Sequence, residues 1–170
     1  MAVLLYGGLL AAVLVLQSTI LASMSVFDVK PDLILILVVV YAVYKGPVFG
    51  GVLGFVGGLL LDLYVGQMIG LQAFSKLLVG LGVGFSVEKV FRDNPIVPLA
   101  AVVAATAFDQ VVYLLGMRLF GIPVGWRAVA PSGILFMALY NGVVTVILYK
   151  GLYAVADTIA YWDELFRRSG

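Results

Sequence analysis

Residues 33–44 read LILILVVVYAVY, and residues 48–65 read VFGGVLGFVGGLLLDLYV. Only Lys45, Gly46 and Pro47 stand between them. The two runs together contain a single charged side chain, Asp62. Runs this continuous lack the apolar/polar alternation that the wall of a transmembrane β-barrel must show. Inside a bilayer the backbone must satisfy its own hydrogen bonds, and with a barrel excluded only helices do so. The quoted stretch therefore predicts two apolar helices broken at Gly46-Pro47.

The rest of the chain is of the same kind. Of 170 residues, 64% are hydrophobic and 11% charged, with a mean hydropathy of +1.17. An ordinary soluble domain carries about 25% charged residues. The polar groups here could not cover a surface facing water, so the bilayer is the expected solvent. The net charge of +1 supplies no field for nucleic acid. There is no Cys and no His, which removes disulfides, thiolate chemistry and the commonest general base and metal ligand.

Apolar windows of about 17–25 residues predict spans, and they fall at residues 3–23, 33–44, 48–65, 71–87, 96–115 and 134–153. Span 2 is short, although it extends back to Phe27. Residues 3–22 are read as the first span rather than as a signal peptide, since no Lys or Arg precedes them. The expected fold is all-α: one polytopic membrane helix bundle over residues 1–170, with about six transmembrane helices. A five-span alternative makes residues 33–65 a re-entrant hairpin. With six spans, Lys45, Lys89, Arg92, Arg167 and Arg168 share one side, and Lys30, Arg118 and Arg127 the other. That bias favours both termini in the cytoplasm. Residues 154–170 form an amphipathic cytoplasmic tail, with Val155, Ile159, Trp162 and Phe166 at helical spacing. Asp163/Arg167 and Glu164/Arg168 are favourable i, i+4 pairs in it. The tail either lies on the inner membrane surface or docks a cytoplasmic partner. Trp126 and several tyrosines fit interfacial anchoring.

Two constellations stand out. Gly46, Gly50, Gly54 and Gly58 recur at every fourth position, widened by Gly51 and Gly57, and Gly80 and Gly84 continue the theme in span 4 with Gly82 nearby. Small residues at i, i+4 let helix backbones approach closely, either within this bundle or against a partner. None of these glycines belongs to a phosphate-binding loop. The second constellation is the intramembrane polar set Gln17, Asp62, Lys76 and Asp109. A charge at a helix centre costs about 2.5–3.5 kcal/mol on insertion scales, so such residues pair or face the bundle interior. Spacing places Asp62 and Lys76 at similar depth across a tight turn at residues 66–70, which predicts an ion pair, with Asp109 deeper in span 5. The set is either a self-neutralising structural cluster or a proton or ligand site. Ser18, Thr19 and Asn141 add hydrogen-bonding groups. No catalytic motif surrounds the carboxylates and no cofactor is expected.

The order of short pieces between Gln17 and Gly84 carries a resemblance. They run Leu16-Gln17-Ser18-Thr19, Lys30-Pro31-Asp32-Leu33, Lys45-Gly46, Gly50, Gly54-Phe55 and Gly58-Leu59-Leu60-Leu61-Asp62. Gly66, Gly70-Leu71-Gln72-Ala73, Ser75 and Leu78-Val79-Gly80 follow. In this order and spacing they resemble the rod-shape-determining MreD family, over about two-fifths of the chain; Lys76 is not part of the pattern. The resemblance implies a non-enzymatic scaffold of the bacterial inner membrane that binds MreC, a single-span protein with a large periplasmic part. It implies MreB, RodA and a class B penicillin-binding protein in the wider cell-elongation complex, which supports peptidoglycan synthesis and cell shape. It also implies a six-helix layout similar to the substrate-binding S-components of energy-coupling-factor vitamin transporters, and transport is the alternative function.

Overall fold

The computed structural model describes residues 2–19, 30–65, 68–87, 96–123 and 131–168. Six helices and no strand occur among the described residues. They are α1 (Ala2–Thr19), α2 (Leu33–Lys45), α3 (Pro47–Val65), α4 (Leu71–Ser86), α5 (Ile96–Leu119) and α6 (Pro131–Arg168). Gly66, Trp126 and the polar loop at residues 88–95 lie outside the described residues. Consecutive helices alternate in direction. Gly57 meets Ile34 while Gly50 meets Ala42, and Gly58 meets Gln72 and Ala73 while Gly84 meets Pro47. α2 and α6 run parallel, as the Asp32 amide donates to Asn141 and the Tyr41 hydroxyl to the Leu152 carbonyl.

α2 is the axis of the bundle. Residues 34–43 are all buried, none more than 3% exposed, and the helix touches each of the other five. A helix that is apolar on every side requires such enclosure. The whole circumference of this short helix is occupied by this chain, which leaves no room on it for a partner helix. Its 13 residues reach about 20 Å at about 1.5 Å per residue, less than the hydrocarbon core of about 30 Å. The register shows where the missing length falls. Ile34 lies beside Gly57, so α3 runs on to Val65 beyond the start of α2. α2 thus begins inside the bundle.

Of the six helices, α3, α5 and residues Pro131–Trp162 of α6 are long and apolar enough to cross a membrane. α1, α2 and α4 are apolar but shorter. α6 also includes most of the tail segment. It is one helix of 38 residues, about 57 Å long, and residues 154–168 continue the last span without a break. Ala156 and Ile159 are buried in it, and the Tyr44 hydroxyl donates to Asp157. These contacts hold the segment against the bundle, so it does not fold away as a separate surface helix. Val155 and Trp162 are exposed. The side chains of Asp163, Phe166, Arg167 and Arg168 lie outside the described residues.

α3 and α4 form the closest pair. A Cβ on Gly54 would meet the Lys76 carbonyl, one on Gly58 the Gln72 carbonyl and Ala73 Cα, and one on Gly80 the Gly50 backbone. One on Gly84 would meet Pro47. Gly50, Gly54, Gly58, Gly80 and Gly84 therefore serve backbone contact between α3 and α4, whereas Gly46 before α3 has open space beside it. Gly82 has nothing nearby. At the end where Lys45 lies, Tyr6, Tyr41 and Phe49 pack edge to face, and the Lys45 ammonium lies 4.8 Å from the Tyr6 ring centre.

Replacing Gly54 with Leu is expected to force α3 off α4, because the obstructing atoms are backbone and cannot swing aside. Overpacking of this kind costs about 1–3 kcal/mol and sometimes more. Gly82→Ala, with open space, is the control. Thermal unfolding in mild detergent should show a clear loss for the first and none for the second.

Candidate functional site

The buried start of α2 creates the site. Asp32 precedes the helix in an extended conformation, and its Oδ1 accepts from the Leu35 amide at 2.9 Å, as an N-cap does. The Ile34 amide donates to Gln17 Oε1 on α1 at 3.3 Å. The Asp32 amide donates to Asn141 Oδ1 on α6 at 2.9 Å. Asn141 Nδ2 in turn donates to Thr106 Oγ1 on α5 at 3.1 Å, and that hydroxyl donates to the Val102 carbonyl. Helix N-termini present amides without intrahelical acceptors, and here side chains from three other helices or the cap itself supply or extend the acceptors.

The second carboxylate oxygen of Asp32 lies 2.9 Å from the Lys76 ammonium. Lys76 is fully buried. It donates also to Gln72 Oε1 at 2.7 Å and to Asp109 Oδ2 at 3.3 Å. An ammonium has three donors, and all are used. Ser75 Oγ lies 2.6 Å from Asp109 Oδ1. The cluster Asp32–Lys76–Asp109 thus ties α2, α4 and α5 together, and the Asn141 link adds α6. Its members are at most 7% exposed.

Asp62 stands apart from this cluster, against the expected Asp62–Lys76 ion pair. Its carboxylate accepts from the amides of Gly70 at 2.8 Å, Gln72 at 3.1 Å and Ala73 at 3.1 Å. α4 begins with Gly70, which has no side chain to cap it. Asp62 on α3 does that work from outside, where a negative charge is also favoured by the helix dipole. Depth alone suggested a pair; the free amides of α4 hold the carboxylate instead. Lys76 and Asp109 do meet, and Gln17 reaches the same region through Ile34. Sequence reasoning missed Asp32, assigned to a loop, and also Gln72, Ser75 and Thr106. The signal for Asp32 was present: Pro-Asp directly before an apolar helical run is an N-cap pattern.

The cluster's hydrogen bonds are internal, and its chemistry is that of a sealed electrostatic joint. No group of His, Cys, Asp and Glu suited to a metal occurs among the described residues. A cavity of about 500 Å³ lies between α4 and α5, toward the opposite end, and is lined by apolar residues such as Val79, Val83, Ala101 and Phe108.

A double-mutant cycle separates the two carboxylates. Asp32→Asn should cost about 3–5 kcal/mol, because it strands a buried cation, and Lys76→Met in the same chain should recover part of that loss. Asp62→Asn with Lys76→Met should come much closer to additive. Unfolding midpoints of the single and double variants check both statements.

No curated protein and no solved structure matches the chain. A family model described as rod shape-determining protein MreD matches residues 2–155. The match spans all of α1 to α5 and most of α6, including every residue of the buried cluster. The chain is a membrane protein of the MreD family, with a role in rod-shape determination.

Proposed function

We propose that the chain is a non-enzymatic scaffold of the bacterial inner membrane that binds MreC and supports peptidoglycan synthesis within the cell-elongation complex. The family match over residues 2–155 carries this reading. Packing supports it: the glycine ladder, the enclosed α2 and the sealed ion cluster make a rigid body whose polar groups are turned to its own assembly. MreB, RodA and a class B penicillin-binding protein belong to the wider assembly in this reading. The vitamin-transporter alternative asks for polar groups converging on a ligand pocket at the outer helix ends. The cluster there is closed on itself, and the apolar cavity lies at the other end.

Six helices alternating in direction support both termini on one side, and the Lys/Arg bias favours the cytoplasm as that side. α2 has no free face and the α3 glycines are taken. Exposed apolar side chains lie on α1, α3, α5 and α6, and α1 also exposes Gly7, Gly8, Ala11 and Ala12. This reading seats the partner helix on the outward face of α3, where Val48, Val52, Phe55 and Val56 are exposed. The periplasmic part of MreC rests on the loops at the far end in this reading; Val124 lies outside the described residues.

Reporter fusions at Gly170 and within the loop at residues 121–125 should report opposite sides of the membrane; the same side for both defeats the orientation. Photocrosslinkers at Val52 and Phe55 should capture MreC in cells. Absence of MreC from the crosslinked and co-purified material, with saturable vitamin binding by the purified protein, reverses the conclusion in favour of transport.

A further inference from the structure

The Asp32–Lys76–Asp109 cluster holds two carboxyl groups and one ammonium. Were both carboxyls ionised, a net negative charge would remain where exposure is 7% or less. Buried charge without a partner is strongly unfavourable. The hydrogen bonds indicate how the imbalance is resolved. Ser75 Oγ lies within bonding distance of two oxygens of Asp109, Oδ1 at 2.6 Å and the backbone carbonyl at 3.2 Å. A serine hydroxyl has one hydrogen, so it donates fully to only one of them or divides that hydrogen in a weaker three-centre bond. Both contacts become full hydrogen bonds if Oδ1 carries a proton: the acid donates to Ser75 Oγ, and Ser75 donates to the Asp109 carbonyl.

The surroundings distinguish the two carboxyls. Asp32 lies nearer Lys76, at 2.9 Å against 3.3 Å for Asp109, as expected when the first pair is ionic. Asp32 also accepts an amide at the start of α2, where the helix dipole favours negative charge. Asp109 lies in the middle of α5, with Ser75 and Lys76 as its side-chain partners. Among the described residues the salt bridges of the cluster involve no cation besides Lys76. α6 presents neutral Asn141 through Thr106, Tyr113 is one turn further along α5, and Asp62 on α3 is bound to the amides of α4.

We propose that Asp109 is a proton-binding site: a neutral carboxylic acid at neutral pH, donating to Ser75 and accepting from Lys76, beside an ionic Lys76–Asp32 pair. The protonated acid makes the whole cluster electrically neutral. It also makes Asp109, unlike Asp32, replaceable by a neutral amide of the same shape. In Asp109→Asn the amide nitrogen can donate to Ser75 while the oxygen accepts from Lys76.

The test uses the full-length protein in lipid at neutral pH. The parent should show an infrared carboxylic-acid C=O stretch that shifts in D2O, and that band should be missing from D109N. D109N should unfold at the parent's temperature, while D32N unfolds well below it. No acid band in the parent, or a band that survives in D109N, overturns the assignment. A D109N that fails to fold, or is as unstable as D32N, overturns it too, since the amide reproduces the neutral acid and not the anion.

Discussion

α2 has to begin somewhere, and it begins inside the bundle. A helix whose residues 34–43 are enclosed on all sides cannot turn its first amides to water. Each polar group supplied to that end then requires another. Asp32 caps the helix and brings a carboxylate into the interior. Lys76 answers the carboxylate and brings two further donors, which Gln72 and Asp109 take up. Ser75 then completes Asp109. The sequence of demands stops only when every donor has an acceptor, as low-dielectric surroundings require. The joint at which α2, α4, α5 and α6 meet is the consequence of one short helix.

The glycine ladder makes that joint geometrically possible. Gly54 rests on the carbonyl of Lys76 and Gly58 on that of Gln72, so α3 covers the back of α4 at the turns that carry the cluster. With no side chain between the two backbones, the Lys76 and Gln72 side chains are left to the other side, toward α2 and α5. The same close approach sets Asp62 beside the uncapped start of α4. Two features that look independent in the sequence, a row of glycines and a few intramembrane charges, are therefore one device. Dispersion and backbone proximity hold α3 on α4, and ion pairing holds α4 on α2.

What the sequence revealed was whatever depends on local periodicity. Glycines at every fourth position located the α3 contact face, and unbroken apolar runs located all six helices, with Gly46-Pro47 marking the break between α2 and α3. Depth and partner were harder, because they depend on where helices end relative to one another. Asp62 and Lys76 share a depth and a tight turn, yet the carboxylate goes to backbone amides that no residue pattern displays. Asp32 looked like a loop residue because a polar Lys-Pro-Asp stretch outside a span normally meets water. Its burial follows only from α2 being shorter than α3, α5 and α6. One clue lay in composition: a helix with no polar side chain between Leu33 and Val43 except Tyr41 has no face suited to anything but protein or lipid, and its brevity favours protein. For the tail, an amphipathic pattern is equally that of a helix leaning on its own bundle, as Ala156 and Ile159 do.

The division between inside and outside bears on how such a molecule can take part in an assembly. The glycines at the α3–α4 contact and the buried polar groups, of the kinds by which helices associate strongly in lipid, are spent on its own fold, whereas Gly7, Gly8, Ala11 and Ala12 on α1 stay exposed. The surface left on α3 carries bulky side chains, among them Val52 and Phe55. A partner helix there can gain dispersion contacts but not backbone approach, so that association is more tolerant of single substitutions than the α3–α4 contact. Greater selectivity has to come from elsewhere, from the exposed small residues of α1 or from the loops and helix ends. The start of α2 is wired to the ends of α1 and α4 and to α6 through Gln17, Lys76 and Asn141. A partner that presses on those ends therefore acts on the same joint that fixes the fold.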